Sequence, residues 1–294
     1  MKQSIRALMM SVLCFVLTML TSVITHAEPA DGVSAAKQSL EAFMTAWNQA
    51  DNEALRETLN YPMLTLFGSS FSLANSPEEF TVDFESMRER EGWRRSSFDD
   101  ITVTRSSPEK VHLRVVFSRY GSDGKAYLTA GVFYVVTLKG GRWGVQFRGL
   151  GRAPGAVLTD EQTTAEFSAH ETVLDFFTAF NASDNAGVRE SLNLPHAFLV
   201  NGGRLMAAMD DSGPGVVMNF DAMREREGWY MSSLDSLEPV VIAPTVVAYE
   251  LVFSRYHKNG LRYRSIPALW ILTKQDGHWG IQFRSLMRAT FTAN

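Results

Sequence analysis

The heptapeptide MREREGW occurs twice in the chain, at residues 87–93 and 223–229. An offset of 136 positions aligns residues 87–153 with residues 223–289 without a gap, and about two positions in five are identical. An offset of 133 aligns residues 43–48 with residues 176–181, so the second copy has three extra residues between Pro195 and Met223. A period this long in only two copies predicts a duplicated domain, because solenoid repeats are shorter and more numerous.

The duplication divides the chain into a first domain at residues 35–153 and a second at residues 168–290. The segment between them, residues 154–167, is rich in Pro, Gly and polar residues and is predicted to be a linker. Residues 1–27 carry two basic residues, then an apolar run that ends in small residues at Ala27, which is typical of a cleaved signal peptide. An uncleaved anchor is the alternative, but polar residues interrupt the run before it reaches the roughly 20 residues that a membrane span needs.

A cleaved signal peptide predicts a periplasmic or secreted protein without stable membrane insertion. Cys14 lies inside the signal peptide, so the mature chain has no cysteine and is expected to form no disulfide. The net charge is −4 and no basic cluster is present, so nucleic acid is not an expected partner. No motif for a phosphate loop, a metal or another cofactor is found, and we expect none to be bound.

Each copy begins with a helical stripe of apolar residues: Leu40, Phe43, Met44 and Trp47 in the first, and Val173, Phe176, Phe177 and Phe180 in the second. A second helix is predicted to end at Glu91, with Gly92 in a left-handed cap. After it the apolar period changes to two, which indicates strands joined by tight turns. Helices followed by a run of strands predict an α+β domain with helices packed on a curved antiparallel sheet.

Three motifs make each copy resemble the NTF2-like superfamily, in particular its SnoaL-like members with the ketosteroid-isomerase-like fold. They are Phe-x-x-Ala-Trp-Asn-x-x-Asp at residues 43–51, the Tyr-Pro at residues 61–62, and Gly-x-Trp-Gly-x-Gln at residues 141–146. The resemblance implies two tandem cones that pair as a covalent pseudo-dimer. It does not select an activity, because this fold hosts isomerases, hydrolases, cyclases and binding modules.

The repeated heptapeptide places Glu91 on the inner stripe of its helix, at the end where the helix dipole disfavours an acid. Arg119 lies in phase with the apolar face of a later strand, so we predict an ion pair between Glu91 and Arg119 at the open end of the cone. Its twin joins Glu227 and Arg255.

Two interpretations of these pairs remain open. In the first, the pair fixes the helix end to the sheet while Trp93 and Trp229 fill the core. In the second, the arginines bind a ligand anion or a glutamate acts as a general base. Glu91, Trp93, Arg119, Trp229 and Arg255 are therefore the candidate ligand-binding residues.

Two further features could belong to a site. Gln146 and Arg148 on the last strand, like Gln282 and Arg284 in the copy, could either pair between the two sheets or line the cavities. His196 stands where the first copy has Met63, which favours the second half if only one half is active. Candidate catalytic residues are thus Glu227, Arg255 and His196.

Three functions are compatible with this sequence. The favoured hypothesis is an exported protein whose cones bind a small apolar molecule with a polar or anionic head, without catalysis. The alternatives are a general acid/base isomerase, lyase or hydrolase, and a structural module whose cones are filled by their own side chains. Cavity volume distinguishes the last from the others, since ligand sites generally measure about 300–1,000 Å³.

Overall fold

The computed structural model describes residues 29–68, 70–151 and 157–291, so the predicted signal peptide lies outside the described residues. The first half consists of α1 (Pro29–Gln49), α2 (Asn52–Glu57), β1 (Leu59–Phe67), β2 (Ser70–Ala74), α3 (Phe84–Glu91), β3 (Arg95–Ser107), β4 (Lys110–Tyr120), β5 (Ala126–Lys139) and β6 (Arg142–Gly151). The second consists of α4 (Asp160–Ala182), α5 (Asn185–Glu190), β7 (Leu192–Leu199), β8 (Leu205–Ala208), α6 (Phe220–Glu227), β9 (Met231–Ala243), β10 (Val246–Tyr256), β11 (Arg262–Gln275), β12 (His278–Leu286) and β13 (Thr290–Phe291).

The helix ends follow from the local sequence. The side chains of Asp51 and Asp83 accept backbone hydrogen bonds at the starts of α2 and α3, and such caps satisfy amides that have no partner within the helix. Helix α3 ends at Glu91, and Gly92 adopts the predicted left-handed conformation with φ of 69°. Helix α4 begins at Asp160, inside the segment predicted as linker, because Thr159 and Gln162 form a capping box there.

Each half forms one sheet, with strand orders β2-β1-β6-β5-β4-β3 and β8-β7-β12-β11-β10-β9; β13 pairs with β11. All neighbours are antiparallel except β1 with β6 and β7 with β12, which are parallel. The helices of each half cover one face of its sheet and enclose an apolar core. The predicted fold class, two tandem α+β units of the NTF2-like type, is confirmed.

The other faces of the two sheets pack against each other around a third apolar cluster. At its centre the rings of Phe147 and Phe283, from equivalent positions of the two halves, stack with centroids 4.2 Å apart. The pseudo-dimer is therefore built as a sheet-on-sheet contact within one chain. Within the described residues, no helix has the length and apolarity that crossing a membrane requires.

Candidate functional site

Both predicted ion pairs are present at the ends of α3 and α6. Arg119 Nη1 donates to Glu91 Oε2 at 2.5 Å, and Arg255 Nη1 donates to Glu227 Oε2 at 2.7 Å. The second carboxylate is held more completely, because Arg264 Nη1 also donates to it at 3.3 Å. This additional arginine occurs only in the second copy.

The two pairs lie at the rims of the cones. The side chain of Glu91 is 40% exposed and that of Glu227 is 22% exposed, so Glu91 does not point into the core as the helical stripe suggested. Trp93 and Trp229 are buried and donate to the hydroxyls of nearby serines. Neither tryptophan is among the residues that line the cavities, which favours the core-filling interpretation for both.

A β-bulge in the last long strand of each sheet separates the glutamine from the arginine. The register of β5 with β6 skips Gln146, and that of β11 with β12 skips Gln282. Gln146 accordingly reaches the opposite half, where its Nε2 donates to the carbonyl of Gly203 at 2.6 Å. Arg148 and Arg284 instead line the cavities of their own cones. One predicted alternative holds for the glutamine and the other for the arginines.

The two cones differ in the space that they enclose. The cavity of the first half has a volume of about 40 Å³, whereas that of the second has about 240 Å³. The smaller volume suits a few water molecules, and the larger approaches the lower end of the range for ligand sites. Only the second cone thus offers room for a ligand.

Smaller side chains at equivalent positions explain the difference. The first cone is lined by Phe67, Trp47, Phe98 and Val132; the aligned residues of the second half are Val200, Phe180, Leu234 and Ala268. Of these four, only Phe180 lines the second cavity. The remaining wall is aromatic: Phe177 stacks on Trp270 with centroids 5.5 Å apart and an angle of 6° between the rings.

Arg284 lies in the wall of the second cavity with its guanidinium held on two sides. Its Nε donates to His196 Nε2 at 3.1 Å, and its Nη2 donates to the carbonyl of Gly215 at 2.8 Å. A Cβ at residue 215 would lie 3.2 Å from Nη2, and φ there is 84°, so the close approach requires glycine. Burial lowers the pKa of Arg284 to about 10, and the group remains a cation at neutral pH.

The hydrogen bonds of His196 define its tautomer. Nδ1 lies 2.9 Å from the carbonyl of Ile281, which can only accept. Nδ1 therefore carries the proton, and Nε2 accepts from Arg284. Burial, and secondarily the charge of Arg284, hold the pKa of His196 well below its usual range.

These contacts limit the acid and base chemistry of the predicted catalytic set. The lone pair of His196 is already used by Arg284, and the residue is not among those lining the cavity. Glu227 is paired with two guanidinium groups and accepts from the Tyr263 hydroxyl at 3.2 Å. A general base needs a free lone pair within reach of the substrate proton, and neither residue offers one.

A second polar cluster lies between the two halves. His112 connects Glu250 to Ser285, through Nδ1 to Oε1 at 3.2 Å and Nε2 to Oγ at 3.1 Å. Lys110 Nζ donates to Ser285 Oγ at 3.3 Å, and Arg105 forms an ion pair with Glu250. We call these five residues the interface network.

The order serine, histidine, carboxylate in the interface network is that of a nucleophilic triad. However, Ser285 and His112 are fully buried, and no member of the network lines either cone cavity. A substrate carbonyl has no access to the hydroxyl. Although burial opposes it, hydrogen bonding by His112 and the charges of His112 and Arg105 lower the pKa of Glu250, so the carboxylate stays ionised and stabilises the interface.

No protein-family model and no curated protein match the chain. Solved structures do. A protein of unknown function with a cystatin-like fold from Nostoc punctiforme is 14% identical, with a TM-score of 0.34 over 43% of this chain and 95% of its own. An NTF-2 like protein of unknown function from Shewanella oneidensis is 15% identical, with a TM-score of 0.30 over 42% and 98% of the two chains. A protein of unknown function from Mycobacterium tuberculosis is 20% identical, with a TM-score of 0.36 over 46% and 78%.

Proposed function

We propose that this chain is an exported protein whose second cone binds a small apolar molecule with a polar or anionic head, without catalysis. The first cone serves as a filled structural partner. The observation that carries this proposal is the contrast between cavities of about 240 Å³ and 40 Å³ in two aligned halves. No group of three or more metal-binding side chains occurs in the part of the chain that the structure describes.

The lining of the second cone supports binding of an apolar body. Phe176, Phe177, Phe180, Phe253 and Trp270 all contribute to the wall. Burying apolar surface against such side chains contributes about 25 cal/mol per Å². Because Glu227 and His196 are held by other residues, the geometry favours retention of a ligand over its conversion.

Filling the second cone with the side chains of the first tests this proposal. The variant Phe180→Trp, Leu234→Phe, Ala268→Val should weaken binding of one- and two-ring arenes at least tenfold, because the added atoms occupy the cavity. Isothermal titration of the purified protein measures this. The control variant Trp47→Phe, Phe98→Leu, Val132→Ala makes the reverse changes in the first half and should leave affinity at the second cone unchanged.

The two variants separate the possible results. Chemical denaturation of both reports whether overpacking, which typically costs about 1–3 kcal/mol, has unfolded the second half. Unchanged affinity in a folded filled-cone variant would show that arenes bind elsewhere and would refute the proposal. Absence of binding to wild type by every probe would refute it as well.

A further inference from the structure

The polar groups around the second cavity are mostly hydrogen-bond donors. Three arginines line it, Arg226, Arg255 and Arg284, against one carboxylate, Glu227. That carboxylate already accepts from Arg255 and from two groups outside the lining. The cavity therefore has donors to offer a ligand and has little accepting capacity left.

Two buried donors add to this excess. Trp270 Nε1 and Arg255 Nε have no hydrogen-bond partner among the described residues, and both residues line the cavity. A buried donor without an acceptor costs about 1–3 kcal/mol. A ligand rich in acceptor atoms is the chemical complement of such a wall.

Arg284 is the deepest of these donors. It is 6% exposed, and no carboxylate of the described residues lies within ion-pair distance of it. Two of its nitrogens are used by His196 and Gly215, while no acceptor for Nη1 is present in residues 29–68, 70–151 or 157–291. A buried cation without a counter-ion is costly, and a bound anion would offset that cost.

The apolar surroundings of Arg284 indicate what carries the anion. The guanidinium carbon lies 5.3 Å from the ring centroid of Phe176 and 5.0 Å from that of Phe198. The planar guanidinium fork matches the two oxygens of a carboxylate. The stacked pair of Phe177 and Trp270 provides a flat apolar surface nearby.

We infer, on the basis of the proposed function, that the ligand of the second cone is an arene carboxylate whose carboxylate binds Arg284. His196 is a positioning residue, since it holds the Nε edge and leaves Nη1 for the ligand. In the first half Met63 replaces this histidine and cannot accept in the same way, and Arg148 has only a 3.4 Å contact with Thr65 Oγ1.

Matched pairs of probes test this inference on the full chain: benzoate with benzamide, and 2-naphthoate with 2-naphthamide. Titration calorimetry at pH 7 should show each acid binding wild type ten- to hundredfold more tightly than its amide, since the ionic hydrogen bond is lost in the amide. Arg284→Met should abolish this preference, whereas Arg148→Met, the same change in the filled cone, should retain it.

The outcomes distinguish the two proposals. Equal affinity of acid and amide for wild type would overturn the carboxylate assignment while the apolar binding function stands. Failure of all four probes to bind would overturn both. The wild-type comparison does not depend on the stability of any variant. His196→Met should reduce the preference for the acid several-fold, and an undiminished preference would overturn the positioning role.

Discussion

Glu250→Gln is expected to lower the free energy of unfolding by about 3 kcal/mol, because it leaves part of a buried charge network unpaired. The side chain of Glu250 is 4% exposed and accepts from Arg105, His112 and Thr104. Arg105 is 27% exposed and can regain some hydration, which places the expected effect at the lower end of the range for buried pairs.

Urea denaturation followed by far-UV circular dichroism measures this effect. Glu238→Gln is the matched control, since Glu238 pairs with Glu250 across β9 and β10 and is exposed to solvent. The control should change stability by less than about 0.5 kcal/mol. Equal effects of the two substitutions would contradict a structural role for the interface network.

The unfolding free energy is also expected to fall as the pH is lowered below about 6.5. Burial lowers the pKa of His112 and holds that of His196 well below its usual range. In the unfolded chain both become protonated near pH 6.5, so the unfolded state binds more protons and gains stability relative to the native state. Each histidine contributes a slope of up to about 1.4 kcal/mol per pH unit in this window.

Denaturation curves between pH 5.0 and 6.5 measure this slope. The window lies above the range in which Glu250, whose pKa is lowered, contributes, and below the pKa of Lys110, which burial lowers to about 7. His196→Met introduces the residue of the first half and should remove about half of the slope. A slope equal to that of wild type would show that His196 does not titrate as its burial requires.

Periodicity and internal duplication predicted most of the fold. The stripes that start at Leu40 and Val173, the cap at Gly92 and the α+β order of elements are all present. The strands β1 and β7 were not predicted, because short helices lead directly into them and Pro62 and Pro195 were taken as stops. Parallel pairing with β6 and β12 is a long-range contact that a local pattern does not encode.

The candidate site was predicted only in part. The ion pair of Glu227 and Arg255 follows from helix and strand phases, but those phases could not reveal that a bulge at Gln282 turns Arg284 into the cone. Likewise, volume depends on several side chains together. The alignment nevertheless contains the signal, since Trp47 and Phe98 are replaced by smaller residues in the second half.

The interface network was missed, although it leaves a trace in the sequence. Lys110 and His112 occupy strand positions where the second copy has Val246 and Ala248. A polar residue that appears in only one copy, on the face opposite the cone, indicates a contact that is not repeated by symmetry. Glu250 supplies the complementary charge from the other half.

The central claim, that the second cone binds a ligand and the first does not, can be tested with one tryptophan reporter in each cone. Trp47 lines the first cavity and Trp270 lines the second. We would label the protein with 5-fluorotryptophan, assign both signals by substitution to phenylalanine, and record ¹⁹F spectra during titration with 2-naphthoate and 2-naphthamide. The account predicts that Trp270 shifts saturably while Trp47 does not; a saturable shift at Trp47 alone, or at neither residue, would contradict it.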